Sequence, residues 1–224
     1  AAPNYGREPY AEHLAWQVAR TAGFNAVAYE LTEWKGKVCS TCALFNTPDV
    51  AFVPFELCLP SDLIQLCDFE MAQAYFAELG EEAAESFRSM AVFDSLIANT
   101  DRHSGNFGVL RDNRTGRVLG MAPLFDHNVS LFSRDFDEHL AVPELLRRLE
   151  VSPGIMDAML AWQGSAMLSD AQRECVERLV DFSFDGAGFI EEYRAAHPEG
   201  KIVSERRLDA LADFVRTRAR QLLV

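Results

Sequence analysis

Lysine is nearly missing from this sequence. Lys35, Lys37 and Lys201 are the three present in 224 residues, and the other 18 basic residues are Arg. Acidic residues outnumber basic ones 34 to 21, for a net charge of −13. A chain so charged offers no general basic face for neutralising phosphates, so direct nucleic-acid binding is not expected. No apolar run approaches the roughly 18 residues of a membrane span. The N-terminal A-A-P-N-Y-G-R-E-P-Y has no apolar h-region and no Met at position 1. The expectation is a chain without signal peptide, processed or cut from something longer. Cysteine is sparse, odd in number and irregularly spaced: Cys39, Cys42, Cys58, Cys67 and Cys175. That is no disulfide framework, and it points to a reducing cytoplasm. Cys39-Ser-Thr-Cys42 is a lone C-x-x-C, and Cys58 with Cys67 makes a poor second pair for zinc. The pair reads as small apolar residues on a buried strand, with a redox or zinc site as the alternative. Internal repeats and low-complexity tracts are also missing.

The rest is ordinary globular composition, 49% hydrophobic and 25% charged, at a length that buries a sizeable core. Tyr10, Leu14 and Val18 recur at helical spacing over 9–22, with Gly23 placed to stop the helix. Residues 25–34 alternate as a half-buried strand, Lys35-Gly36 forms a tight turn, and V-C-S-T-C-A-L-F returns as a second strand. The segment 46–60, with Pro48, Pro54 and Pro60, reads as a loop. Helices are expected over 63–79 and 81–98, the latter with Phe87, Ala91, Asp94 and Ile97 near one stripe. Further helices are expected near 143–149, 154–165, 170–182, 186–196 and 204–223, Ser204 capping the last. The expected division is a small α+β part over 1–60 and a helical part over 61–224.

Between these helices lies N-T-D-R-H-S-G-N-F-G (99–108), and A-P-L-F-D-H-N follows, carrying Asp126. Residues 107–125 read as a β-hairpin around the turn formers Asp112-Asn113-Arg114-Thr115-Gly116. Antiparallel strands lie ~4.8 Å apart, so Asn106 at the hairpin's entrance meets Asp126 at its exit. Asp101 and His103 sit on the loop at that same end. Two carboxylates and an amide oxygen suit a hard cation such as Mg²⁺, with Asn106 and Asp126 as its ligands. The lone His argues against zinc. Asp101 is left to accept a proton from an attacking hydroxyl. Alternatively, Asp101 and Asn106 are turn residues that satisfy their own backbone.

Protein kinases place Asn five residues after a catalytic Asp and a metal-binding Asp at the far end of a hairpin. Asp101, Asn106 and Asp126 fit that spacing, although H-R-D is replaced by D-R-H-x-x-N, as in phosphoinositide lipid kinases. More of the chain resembles the HipA-like kinases, bacterial serine/threonine kinases of toxin–antitoxin and related systems. Asp94, Leu96, Ile97, Asn99, Asp101, Arg102, His103, Asn106, Phe107 and Gly108 match the first family pattern. Pro123, Leu124, Phe125 and Asp126 match the second. The helix A-E-H-L-A-W-Q-V-A-R-T-A-G-F resembles the family's first helix, with its Glu falling on Glu12. The resemblance is strong over 87–132 and vague after 140.

The resemblance implies a two-lobed, protein-kinase-like α+β fold, with a truncated small N-lobe and a mostly helical C-lobe. It implies ATP and Mg²⁺ as cofactors, a protein Ser/Thr hydroxyl as acceptor, and catalytic roles for Asp101, His103 and Asn106. Glu12, Asp101, Asn106 and Asp126 would bind the nucleotide–metal complex. The alternative for Glu12 is a solvated carboxylate that suits the helix dipole. His103 either supports the loop or touches the transferred phosphate. Asp94 is expected to partner the loop backbone, and His127, Asn128 and Ser130 to be loop structure. Partners implied are a protein substrate and an antitoxin-like protein, or a separate chain supplying the missing N-lobe.

The departure from the family is at the nucleotide clamp. No Gly-rich loop and no Lys precede the first helix, and Lys35 and Lys37 flank a turn after it. A kinase-like binding or regulatory module without catalysis is therefore a second reading, and a metal-dependent phosphohydrolase a third.

Overall fold

The computed structural model describes residues 6–60, 69–151, 168–186 and 203–224. Helix α1 (Glu8–Ala22) starts with a Pro in its first turn and buries Tyr10, Leu14, Ala15, Val18, Ala19 and Ala22. It stops where Gly23 takes φ 92°, a left-handed conformation that costs glycine nothing, and the Gly23 N–H bonds Ala19 O. Strands β1 (Tyr29–Trp34) and β2 (Lys37–Cys42) form an isolated antiparallel hairpin across Lys35-Gly36.

The proline-rich segment is not all loop. Strand β3 (Val50–Pro54) pairs antiparallel with β4 (Gly108–Asp112), which pairs in turn with β5 (Val118–Met121). Proline is tolerated there because β3 is an edge strand and Pro54 is its last residue, where a missing N–H costs little. Pro54 lies opposite Gly108, and a Cβ on Gly108 would come within 2.1 Å of Val53 O. The glycine is what lets β3 approach. The sheet thus joins a strand from the first sixty residues to the hairpin that ends at Asp126.

Helices α2 (Phe69–Glu78) and α3 (Glu81–Leu96) follow. The second half of α3 is buried on all sides from Met90 to Leu96. Phe55, Phe76, Phe87 and Phe107 pack ring on ring, with centroids 5.0–6.2 Å apart, and bind the 3-10 turn Phe55–Leu57, α2, α3 and the hairpin into one core. Helices α4 (Val142–Val151), α5 (Asp170–Glu177) and α6 (Glu205–Leu222) complete the described elements. Ser204 caps α6 by accepting from Arg207 N–H, and Ser169 forms a capping box on α5. Helix α5 ends before the expected 182 because residues 178–181 form turns. The helices expected at 154–165 and 186–196, and Cys67, lie outside the described residues.

The cysteine pair does not lie on a buried strand. Cys42 is exposed and Cys39 partly so. Three positions apart on a strand, the two side chains point to opposite faces. No group of three or more His, Cys, Asp or Glu arranged to hold a metal occurs among the described residues, nor does a helix long and apolar enough to cross a membrane.

Candidate active site

The loop after α3 is built around one guanidinium. Arg102 and Asp94 are both buried. Arg102 Nε donates to Asp94 Oδ2 at 2.7 Å and Nη2 to Oδ1 at 2.9 Å. Its Nη1 donates to the carbonyls of Asn106 and Phe125, both at 2.7 Å. This side chain therefore links the central helix, the residue entering the hairpin and the residue before Asp126. Charge-assisted, two-pronged bonding of this kind fixes geometry as well as energy. Asn99 completes the brace, donating from Nδ2 to Asp94 Oδ1 at 2.9 Å and accepting from Asp101 N–H at 3.2 Å. The expected role of Asp94 shifts accordingly: its carboxylate holds loop side chains rather than loop backbone.

Asp101 is exposed at the tip of this frame, and Asn106 is buried beneath it. Asn106 Nδ2 donates to Asp101 O at 3.3 Å, while Oδ1 has no hydrogen-bond partner among the described residues. Asp126 sits at the hairpin exit with φ 59°, an unusual conformation for a non-glycine residue and one that clusters at functional sites. Burial raises its carboxyl above the ordinary range; the charges of Glu12 and Asp101 add to that, and Arg102 opposes it. Its carboxylate accepts no hydrogen bond among the described residues. An uncommitted amide oxygen and a half-buried, donor-free carboxylate fit a hard cation that takes one or two protein ligands and completes its shell with water and phosphate.

His103 is exposed and turned back into the loop, its Nδ1 accepting from Gly105 N–H at 3.1 Å. A Cβ on Gly105 would sit 3.0 Å from that ring.

Glu12 is not a solvated surface carboxylate. It is buried, and its Oε2 accepts from His127 N–H at 3.0 Å. The helix turns it inward because it lies on the buried face with Ala11, Leu14 and Ala15. Burial pushes its carboxyl up to about 7, against the His127 N–H and the Arg102 charge, which pull it down. His127 is fully buried and pushed down to about 3, by burial first and Arg102 second, so the ring is neutral. Its ring packs edge-on against Phe93 and Tyr29, and neither ring nitrogen has a hydrogen-bond partner among the described residues.

Tyr29 is a site residue that sequence reasoning passed over. Its hydroxyl accepts from Asp126 N–H at 3.3 Å, and burial raises its own ionisation above the usual phenol value. The segment leaving the hairpin is thus gripped from the N-terminal part at two successive backbone amides, Asp126 by Tyr29 and His127 by Glu12. Nothing local marks Tyr29, whose place in an alternating strand reads as core packing.

No protein-family model matches the chain. A sequence relative is the serine/threonine-protein kinase CtkA of Helicobacter pylori, 27% identical over 144 residues, which cover 60% of this chain and 44% of the relative. The matched region thus spans less than half of that curated relative. The crystal structure of the H. pylori proinflammatory kinase CtkA superposes over 99% of this chain and 90% of its own, with TM-score 0.57 and 17% identity. Shewanella oneidensis HipA, from a complex with HipB and operator DNA, matches over 97% of this chain and 56% of its own, with TM-score 0.51 and 10% identity. The fold is therefore kinase-like and α+β. CtkA resembles the chain in sequence and in fold, and HipA resembles it in fold.

Proposed function

We propose that this chain carries the phosphoryl-transfer centre of a HipA-like serine/threonine kinase. The observation that carries the proposal is the Arg102 brace, which ties the Asp101 loop, Asn106 and the approach to Asp126 to one buried ion pair. In this reading Asp101 accepts the proton of a protein Ser or Thr hydroxyl as its oxygen bonds to the γ-phosphorus of ATP and ADP leaves. Asn106 and Asp126 would hold Mg²⁺, which neutralises charge on the phosphates. His103 supports the loop. Glu12 and Tyr29 act through the backbone and position Asp126. Catalysis is then mainly positioning and electrostatic stabilisation. A protein substrate, an antitoxin-like partner and a division into lobes near residue 60 belong to the same reading.

The second reading, a non-catalytic kinase-like module, is favoured by where the lysines fall. Lys35 and Lys37 flank an exposed hairpin turn, and Lys35 Nζ lies 4.2 Å from the centre of the Trp34 ring. Titration calorimetry with Mg·ATP separates the two. Binding that disappears in Asp126→Asn is expected for the kinase. No heat with wild type at millimolar nucleotide overturns that reading in favour of the module. Phosphate release without transfer to any protein hydroxyl would instead mark a hydrolase.

A further inference from the structure

The segment that carries Asp126 is shaped against its own preferences. Of the five non-glycine residues with positive φ among the described residues, three lie within it: Asp126 (59°), Leu131 (48°) and Phe132 (52°). Large side chains such as Leu and Phe rarely adopt that region, and they stay there where surrounding contacts enforce it. The segment also buries polar atoms that it does not satisfy. His127 and Ser130 are fully buried, and neither His127 ring nitrogen nor Ser130 Oγ has a hydrogen-bond partner among the described residues. Strained backbone and unpaired buried polar atoms both favour another arrangement, so contacts from outside the segment must hold this one.

Those contacts come from α6. Arg207, in the first turn of that helix, has a side chain 2% exposed. Its Nη2 donates to Phe132 O at 2.5 Å and to Leu131 O at 3.4 Å, the carbonyls of two of the strained residues. Its Nη1 donates to Asp135 O at 3.1 Å and to Asp137 Oδ1 at 3.0 Å, which anchors the guanidinium itself. Phe214, two turns further along α6, packs edge-on against the Phe132 ring, with centroids 5.0 Å apart. From the other side, Leu131 N–H donates to Ile97 O at 2.7 Å. The grip reaches towards Asp126 because short turns tie the intervening residues together. Ser130 N–H bonds His127 O, Ser133 N–H bonds Ser130 O, and Ser133 Oγ donates to Asn128 O. At the other end Arg102 holds the carbonyl of Phe125, just before Asp126. Two buried guanidinium groups thus bracket the segment.

We propose that Arg207 is a positioning residue for the candidate active site. It clamps the strained turn at Leu131 and Phe132, and so holds the segment 126–132 in the shape that presents the Asp126 carboxylate. The proposal deepens the kinase reading and rests on it for the role of Asp126. Arginine suits the position because its planar fork donates to two neighbouring carbonyls while another arm stays on Asp137; an ammonium on a flexible stem does not fix both carbonyls. Helix α6, remote in sequence from the loop, in this way sets the geometry of the site.

Backbone-amide hydrogen exchange on the whole chain tests the clamp without nucleotide. Arg207→Met is expected to speed exchange at His127, Leu131 and Ser133 about 10-fold beyond any change at Met90 and Phe93 in α3, which report global opening. Arg207→Lys is expected to fall between Arg207→Met and wild type. Asp137→Asn removes the ion pair, leaves the carbonyl bonds in place, and is expected to keep wild-type exchange in the segment. A second readout is the Mg²⁺ concentration at half-maximal ATP binding. It is expected to rise about 10-fold in Arg207→Met, as for other residues that orient a metal ligand, and to stay unchanged in Asp137→Asn. Uniform acceleration that includes α3 overturns the proposal. So does an Asp137→Asn variant that opens the segment as far as Arg207→Met, or an unchanged Mg²⁺ requirement in a variant whose segment has opened. A wild-type chain that binds no Mg·ATP sinks the kinase reading instead, and the exchange pattern still judges the clamp.

Discussion

The Asp101 loop and the β1–β2 hairpin are both short, turn-rich excursions, and they are held by opposite means. The loop hangs from a buried ion pair whose side chains are 2% and 0% exposed, and that pair reaches three separate backbone segments. The hairpin is held by its own ladder and by Leu31 and Val38 packed against the core, with Trp34 62% exposed at its tip. Tyr29, at its base, is the hairpin residue bonded to the site, and its carbonyl is also bound by His13 Nδ1 at 2.8 Å. The side that would carry base and metal is thus organised by groups buried within the chain. The side that would face the nucleotide is a two-stranded ribbon, a class of structure only marginally stable alone.

The largest expected effect breaks the organised side. Arg102→Leu strands the Asp94 carboxylate in the core, and denaturant titration should show a loss of about 3–5 kcal/mol. A loss under about 1 kcal/mol would mean the brace is decorative. Next, Asp101→Asn should leave the fold intact and cut phosphoryl transfer at least ~10²-fold in a form that turns over, as in other losses of a preorganised charged group. Near-normal turnover would remove Asp101 from the chemistry.

The third prediction concerns the contact between the two parts. The fold raises Glu12 to about 7 from an ordinary 4.5, so it favours the protonated acid. The resulting stabilisation is fully present below about 4.5 and lost as pH rises through about 7. Glu12→Gln keeps an acceptor for His127 N–H and never ionises. Its stability should gain on wild type by about 2–3 kcal/mol between pH 5 and pH 8. His127, held down at about 3 against 6.5, contributes with the opposite sign, stabilising above 6.5 and failing towards 3. It does so in both proteins, and so cancels in the difference. A flat difference across the range would show that Glu12 is solvated after all.

The smallest effect belongs to the hairpin. Lys35 and Gly36 take φ 52° and 72°, the pattern that Asn-Gly satisfies best. Lys35→Asn gains backbone fit and loses the Trp34 contact, so thermal melting should place it within about 0.5 kcal/mol of wild type. A drop above about 1 kcal/mol would mean the hairpin is built into the core more firmly than its exposure implies.

Much of this architecture is legible locally. The spacing of Tyr10, Leu14 and Val18, the stop at Gly23, the turn at Asp112–Gly116 and the cap at Ser204 are short-range events, decided by backbone sterics and nearby hydrogen bonds. The D-R-H-x-x-N spacing is read directly, whereas the β4–β5 ladder ends at Gly108 and Ala122, and Arg102, bonded to the carbonyls of Asn106 and Phe125, carries the approach to Asp126. The exceptions are equally physical. Strand β3 is masked by its prolines, because an edge strand ending opposite Gly108 needs a partner that lies more than fifty residues away in the chain. The cysteine pair looks buried by residue type, while exposure depends on whether another layer covers the strand.

Periodicity and turn chemistry, written in runs of a few residues, are enough to specify helices α1, α3, α4 and α6, the two hairpins and the spacing of Asp101, Asn106 and Asp126. Packing alone decides that Arg102 becomes the hub of the loop, that Glu12 turns from surface acid to buried acceptor, and that Tyr29 reaches Asp126. Burial and charge depend on which distant segments close over a side chain, and no local run of residues encodes that.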